Sequence, residues 1–299
     1  MSKLCHLLIL LLGLSLFLPD YAVASDALFE AVKNDDAAQV RLLLEAGTDP
    51  NSINKKLYTP LHLAKSPEVV ALLLKAGANP NSRDDFGRTP LDWANDPALG
   101  KMLRNQAVIA ERIISILREA GGVSGKDLPY FPEEIGISKF MNEWYSRHLF
   151  ALEEPVIYTQ LNQLNETNHS IYRFTCLRTF HRPFSIRIEM NEKNKRAYLF
   201  FRMSDGAGGY DPGNLIIYRD LALSRDEIEN FVKVIGSYDY WAIPFEDNTV
   251  QGRDGSEWII EMLKNGKYHT ITRWTPGEHK QTADREAVYK LGVLAPARF

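Results

Sequence analysis

Seven residues in the carboxy-terminal half have side chains that can move protons, bind anions or stack: His181, Arg182, Asp211, Glu261, His269, Arg273 and Trp274. They fall in three clusters, 179–183, 204–213, and 254–261 with 268–274. An acid–base reading takes His181 or His269 as the general base and Asp211 or Glu261 as its partner. Arg182 or Arg273 then binds an anion, and Glu261 is placed to face His269 across a hairpin. Such a site suits an anionic or carbohydrate substrate of the cell envelope. The surrounding text argues the other way. There is no nucleophile elbow, no Cys–His arrangement and no paired spacing of metal ligands, so no metal or other cofactor is expected. The glycine-rich run Gly206 to Gly213 lacks the lysine of a phosphate loop, and Pro212 removes a backbone donor where a cradle needs one. A structural role, or a surface for a ligand or partner, fits these clusters better than catalysis.

The elements that carry the clusters read as strands. Residues 170–180, 184–190, 196–203, 215–218, 256–263 and 268–274 are rich in aromatic and β-branched residues and bounded by turn formers. Asn265-Gly266 marks a tight hairpin. Helices are expected over 137–149, after the capping box Ser224…Glu227, and near 284–291. This is an α+β domain around an antiparallel sheet. Its clusters resemble a bacterial domain of unknown function with a G-G-Y-D-P-G loop and D-G-S-x-W and Y-H-x-x-x-R-W segments. That resemblance brings no activity with it.

The amino-terminal part is periodic. Thr59-Pro60-Leu61-His62-Leu63-Ala64 returns as Thr89-Pro90-Leu91-Asp92-Trp93-Ala94, and Leu42 to Asn51 returns as Leu72 to Asn81, both at an offset of 30 residues. A fixed period of this length signals stacked helix pairs. The motifs resemble the ankyrin repeat family over residues 25–120, which implies about three repeats and a surface for binding proteins. His62 is read as a framework hydrogen-bonder. Leu57 stands where the family favours glycine. A long helix over 98–120 is expected to close the stack, with 121–136 as a linker that starts in a flexible Gly121–Gly125 joint. The hairpin tips and inner faces supply the candidate partner contacts: Lys55, Lys56, Tyr58, Asp85, Phe86, Arg88 and Trp93.

Lys3 followed by the apolar run Leu7–Leu18 and by Ala22-Val23-Ala24 reads as a secretory signal peptide over 1–24. The run is shorter than the about 20 residues that span a bilayer, so cleavage rather than stable membrane insertion is expected, with export to the bacterial periplasm. Cys5 leaves with the signal. Cys176 then has no partner cysteine and sits in an apolar run, so it reads as a buried, inert thiol. Two sequons, at Asn165 and Asn168, matter only in a eukaryotic secretory route. With 45% hydrophobic and 24% charged residues and a formal charge of −3, the 299-residue chain has no basic face for nucleic acid.

The expected architecture is therefore an all-α repeat solenoid followed by an α+β domain over 137–299. The function that fits is the holding of another protein, as an inhibitor, an immunity protein or an envelope scaffold. The alternative is an envelope enzyme with its site around His181, Asp211, His269 and Arg273.

Overall fold

A computed structural model describes residues 21–54, 56–96, 107–160, 168–246 and 254–275. They fall into two compact units. One holds the residues up to Asp84 together with Arg88–Gly125; the other holds Asp85–Gly87 and the residues from Lys126 onward.

The first unit is built of helices α1 (Tyr21–Lys33), α2 (Ala37–Glu45), α3 (Pro60–Leu63), α4 (Pro67–Lys75), α5 (Pro90–Ala94) and α6 (Ala107–Glu119). Each start has a local cause. Asp36 and Ser66 accept from the backbone N–H three residues on, and Thr59 and Thr89 precede a proline in the first turn. Gly47 (φ 88°) and Gly77 (φ 93°) follow the ends of α2 and α4 in the left-handed region. Leu28, Val32, Val40, Leu61, Val69, Leu73, Leu91, Ile113 and Leu117 form one core. The expected closing helix is seen over its second part as α6; residues 98–106 lie outside the described ones.

Two asparagines thirty residues apart stitch consecutive repeats. Asn51 accepts from Asn79 N (2.7 Å) and donates to Gly77 O (3.0 Å). Asn81 does the same with Val123 N (2.9 Å) and Gly121 O (3.1 Å). The segment Gly121–Gly125 is thus not a loose joint. Thr89 Oγ1 donates to Val123 O (2.8 Å), and Asp92 accepts from Ser124 Oγ (2.6 Å) and Gly125 N (2.8 Å). Towards Asn81 it repeats the two bonds that Gly77 and Asn79 make to Asn51. The linker expectation fails further along as well, since Tyr130 and Phe131 are fully buried.

The second unit is a six-stranded antiparallel sheet in the order β4-β3-β2-β1-β5-β6. The strands are β1 (His169–Arg178), β2 (Phe184–Asn191), β3 (Arg196–Ser204), β4 (Leu215–Ala222), β5 (Ser256–Lys264) and β6 (Lys267–Trp274). The expected strands are all present, β4 running four residues past its expected end. Helix α7 (Lys139–Ala151) precedes the sheet, and α8 (Arg225–Ile235) follows β4 behind a capping box from Ser224 and Glu227. Asn265 and Gly266 make the β5–β6 turn with φ of 50° and 67°. One face of the sheet is apolar: Tyr172, Phe174, Ile186, Ile188, Leu199, Phe201, Ile260 and Ile271 pack with Ile228 and Phe231 of α8. The opposite face packs Leu177 and Ile259 against Tyr145 and Leu149 of α7, with Tyr130, Phe131 and Val156.

The register sets a charged row across that second face. Arg187, Arg173 and Glu261 lie side by side on β2, β1 and β5. Arg173 forks onto Glu261, and Glu154 bridges Arg173 (3.4 Å), Arg187 (2.9 Å) and Ser185 (2.9 Å). Burial pushes Glu154 up, but Arg187 and Arg173 outweigh it and hold the carboxyl below its ordinary range. A buried charge is tolerable only with such partners.

Candidate functional site

In the first unit, His62 is buried and accepts from Thr59 N at Nδ1 (3.1 Å), so its Nε2–H donates to Arg88 O (3.2 Å). Burial lowers its pKa from 6.5. It is a framework residue, tying the 59–62 turn to the next hairpin. Around it lies an aromatic cluster. Tyr58 meets Trp93 edge-on, with ring centres 4.8 Å apart at 70°. The Arg88 guanidinium sits 5.0 Å from the Trp93 ring. Asp84, with no exposed surface, fixes both, accepting from Trp93 Nε1 (2.8 Å) and pairing with Arg88 (2.9 Å). Tyr58, Arg88 and Trp93 remain half-buried and Lys56 exposed. Tyr58, Arg88 and Trp93 therefore share one patch, and Lys56 lies two residues from Tyr58 in the same hairpin. Asp85 and Phe86 are half-buried and group with the second unit. Between them and Arg88, Gly87 (φ 76°) packs so closely against Tyr130 and the Glu154 carbonyl that a Cβ has no room. Lys55 lies outside the described residues.

Residues 28–106 match the sequence model of ankyrin repeats, in three copies. The amino-terminal unit is an ankyrin stack. A crystal structure of an ankyrin repeat domain from Acinetobacter baumannii AYE is 34% identical, over 32% of this chain and 47% of that one, with a TM-score of 0.27. The chain thus spans about half the length of that domain (47%). No curated protein matches. Ankyrin repeats generally mediate protein–protein interaction.

In the second unit the seven chemical candidates do not converge. The register pairs Glu261 with Thr270 and Met262 with His269, so Glu261 and His269 lie on opposite faces of the sheet. The expectation that they face each other fails on the two-residue period of strands. Glu261 is consumed by Arg173 and by Tyr268 Oη (2.9 Å). His269 Nε2 is bonded to the Ile243 carbonyl (2.9 Å) and its ring stands 5.9 Å from Trp241. Arg273 donates to the carbonyls of Pro244 (3.1 Å) and Phe245 (3.2 Å). Trp274, paired with Glu257, lies on the opposite face from His269 and Arg273. No two titratable members of the seven are hydrogen-bonded to each other among the described residues. No group of His, Cys, Asp and Glu among the described residues could hold a metal ion.

The loops that carry His181, Arg182 and Asp211 do meet at one end of the sheet. The β1–β2 turn is bonded to the β3–β4 loop through Gly208 N to His181 O (3.0 Å) and Gly209 N to Thr179 O (3.3 Å). Thr179 also exchanges bonds with Gly255, at the start of β5 (3.0 Å both ways through N–H groups). The parts of the three sequence clusters around Thr179, Gly208 and Gly255 thus meet. Two residues of α7 that sequence reasoning missed lie against the loop, and one of them, Trp144, bonds it. Trp144 Nε1 donates to Gly208 O (3.2 Å), and His148 is buried beneath, bonded through Nδ1 to the Trp144 carbonyl (2.9 Å). Burial lowers the His148 pKa against the pull of the Trp144 and Ala207 carbonyls and of Asp211. Neither residue has a sequence signal beyond its place on a helix. Cys176 is buried, and burial pushes its thiol up to about 12, as suits an inert group.

Proposed function

We propose that this protein holds a partner protein through Lys56, Tyr58, Arg88 and Trp93 of its ankyrin stack. The observation that supports this reading is the fixed aromatic cluster. Buried Asp84 locks Trp93 and Arg88 in place, and Tyr58 packs edge-on to Trp93. Tyr, Trp and Arg are the residues in which binding energy concentrates, and side chains already fixed lose little entropy on docking. The apolar leader with its Ala-x-Ala end supports export to the periplasm, where the partner would be an incoming toxic effector or an envelope enzyme. An inhibitor or immunity protein forms a stoichiometric complex that silences its target, and its loss is tolerated unless that target is present. A scaffold leaves the target active.

The test is capture of periplasmic proteins on the tagged chain, comparing the parent with Tyr58→Ala and Lys56→Glu. A stoichiometric partner lost in both variants supports the reading. A partner that survives both, in folded variants, removes the patch. Fractionation of cells expressing the full chain tests export separately.

A further inference from the structure

We infer that β4 is a pairing edge for a second copy of this chain: two molecules join their β4 strands antiparallel about a two-fold axis through Tyr218. The surface lies wholly within the second unit and is independent of the ankyrin patch.

The backbone supplies the first argument. β4 is the last strand on its side of the sheet. Leu223 N donates to Ala197 O (2.9 Å), and the same register pairs Leu221 with Leu199, Arg219 with Phe201 and Ile217 with Met203. In an antiparallel ladder, bonded and non-bonded pairs alternate. The odd-numbered residues therefore spend their N–H and C=O groups on β3, and those of Ile216, Tyr218 and Asp220 point away from the sheet. No strand among the described residues pairs with them. The opposite edge differs: on β6, Thr272 N donates to Phe245 O (2.7 Å). An unpaired row of backbone groups is a template for another strand.

The side chains supply the second argument. Ile216 and Tyr218 are 42% and 71% exposed, neighbours on one face of the edge strand. They stand beside Arg202, which lies opposite Tyr218 and holds Asp220 (2.7 Å). Large apolar side chains kept together in water mark an interaction site. Pairing of β4 with another strand covers both.

Register selects the occupant. A two-fold axis normal to the sheet keeps the faces together, so facing residues are both even-numbered or both odd-numbered. Centred on Arg219 or on Asp220, self-pairing opposes two like charges, which is destabilising. Centred on Ile217, it engages only Leu215–Arg219 of each strand; centred on Tyr218, it engages Leu215–Leu221. There Tyr218 meets the partner's Tyr218, Leu215 meets the partner's Leu221, and no like charges face each other. Every outward N–H and C=O from Ile216 to Asp220 is bonded, roughly six bonds from three facing pairs. The strand thus carries its own match: aromatic on aromatic at the axis, leucine on leucine at both ends.

The test is sedimentation of the full chain over a concentration series up to about 0.5 mM, the range in which a weak dimer shows. The chain should dimerise. Tyr218→Lys sets two like charges at the axis and should raise the dimer Kd at least about tenfold, while Tyr218→Phe leaves it unchanged. Tyr218 is exposed, so near-ultraviolet dichroism should show both variants folded. Cysteine trapping reads the register, in a Cys5→Ser background with Cys176 buried. Tyr218→Cys should cross-link to its mate on mild oxidation; Ile216→Cys, which faces the partner's Asp220, should not. Tyr58→Ala should leave the dimer intact, which separates this edge from the ankyrin patch. The inference is overturned if the chain stays monomeric throughout the series, if Tyr218→Lys or Tyr58→Ala gives the opposite result, or if Ile216→Cys cross-links in place of Tyr218→Cys.

Discussion

In the ankyrin unit a set of polar contacts occurs twice, one repeat apart; in the sheet unit the central ion row occurs once. Asn51 and Asn81 make the same pair of bonds one repeat apart. Thr59 with His62 and Thr89 with Asp92 close the same capping box. Behind the sheet, by contrast, one carboxylate, Glu154, bridges Arg173, Arg187 and Ser185, and Glu261 and Glu189 are the arginines' other partners. Repetition spreads the work, so any one contact is small and shared. A single buried carboxylate with three partners concentrates it.

The sharpest way to break the comparison is Glu154→Gln. Removing one partner of a buried pair leaves an uncompensated charge and costs about 3–5 kcal/mol. Urea unfolding should show a large fall in the midpoint. A cost under about 1 kcal/mol would mean that Glu261 for Arg173 and Glu189 for Arg187 serve well enough without it.

Glu257 comes next. It is 6% exposed, and burial raises its carboxyl to about 7 from 4.5, against the pull of Tyr145 and Arg273. The folded chain therefore keeps this proton while the unfolded chain releases it. Stability from this group is full below about pH 4.5 and declines as pH rises to about 7. His148 acts in the opposite sense. Burial holds its pKa below 6.5, so the unfolded chain takes up the proton first and acidification below that pH costs stability. Glu257→Gln should match the parent near pH 4.5 and exceed it by up to about 3 kcal/mol at pH 8, from 1.36 kcal/mol per unit. Equal stability of the two at both values would show that Glu257 ionises freely.

A smaller change probes repetition itself. Asn51→Ala and Asn81→Ala each remove two hydrogen bonds and should cost about 1–2 kcal/mol. Their costs should agree within about 0.5 kcal/mol, because Gly121–Gly125 takes the role of a further hairpin. A negligible cost for Asn81 alone would show that the closing segment does not need its tether.

The same contrast explains what could be read in advance. A thirty-residue period declares which residues are equivalent, so the helix pairs, their caps and the framework role of His62 are legible in the text. Strand order and register are not, and two errors came from that. Glu261 and His269 look like facing residues until the pairing of Met262 with His269 fixes their faces. Gly121–Gly125 looks like a joint because its partners, Asn81 and Asp92, are some 30–40 residues away. The buried ion row left one clue, Arg173 in the middle of an apolar strand. Its partner Glu154 sits outside any pattern, and Trp144 and His148 show their purpose only once the β3–β4 loop lies against α7.

The finest comparison is between two hairpins of the same stack. Asn54 N donates to Tyr58 O (3.1 Å) and Asp84 N to Arg88 O (2.9 Å), so the turns are alike. At the equivalent tip position the first has Leu57 at φ 59° and the second Gly87 at φ 76°. The left-handed region costs a leucine roughly 1–2 kcal/mol, while glycine adds about 0.5–1 kcal/mol of unfolded-state entropy. Leu57→Gly should therefore stabilise the stack by about 0.5–1 kcal/mol, seen as a higher urea midpoint. The Leu57 N–H bond to Asn54 O (2.9 Å) survives the change. A loss of stability instead would mean that the half-buried leucine packs well enough to outweigh its strain. The leucine also neighbours Tyr58. A variant that is more stable yet binds its partner less well would show that Leu57 is kept in a strained turn for the surface it presents.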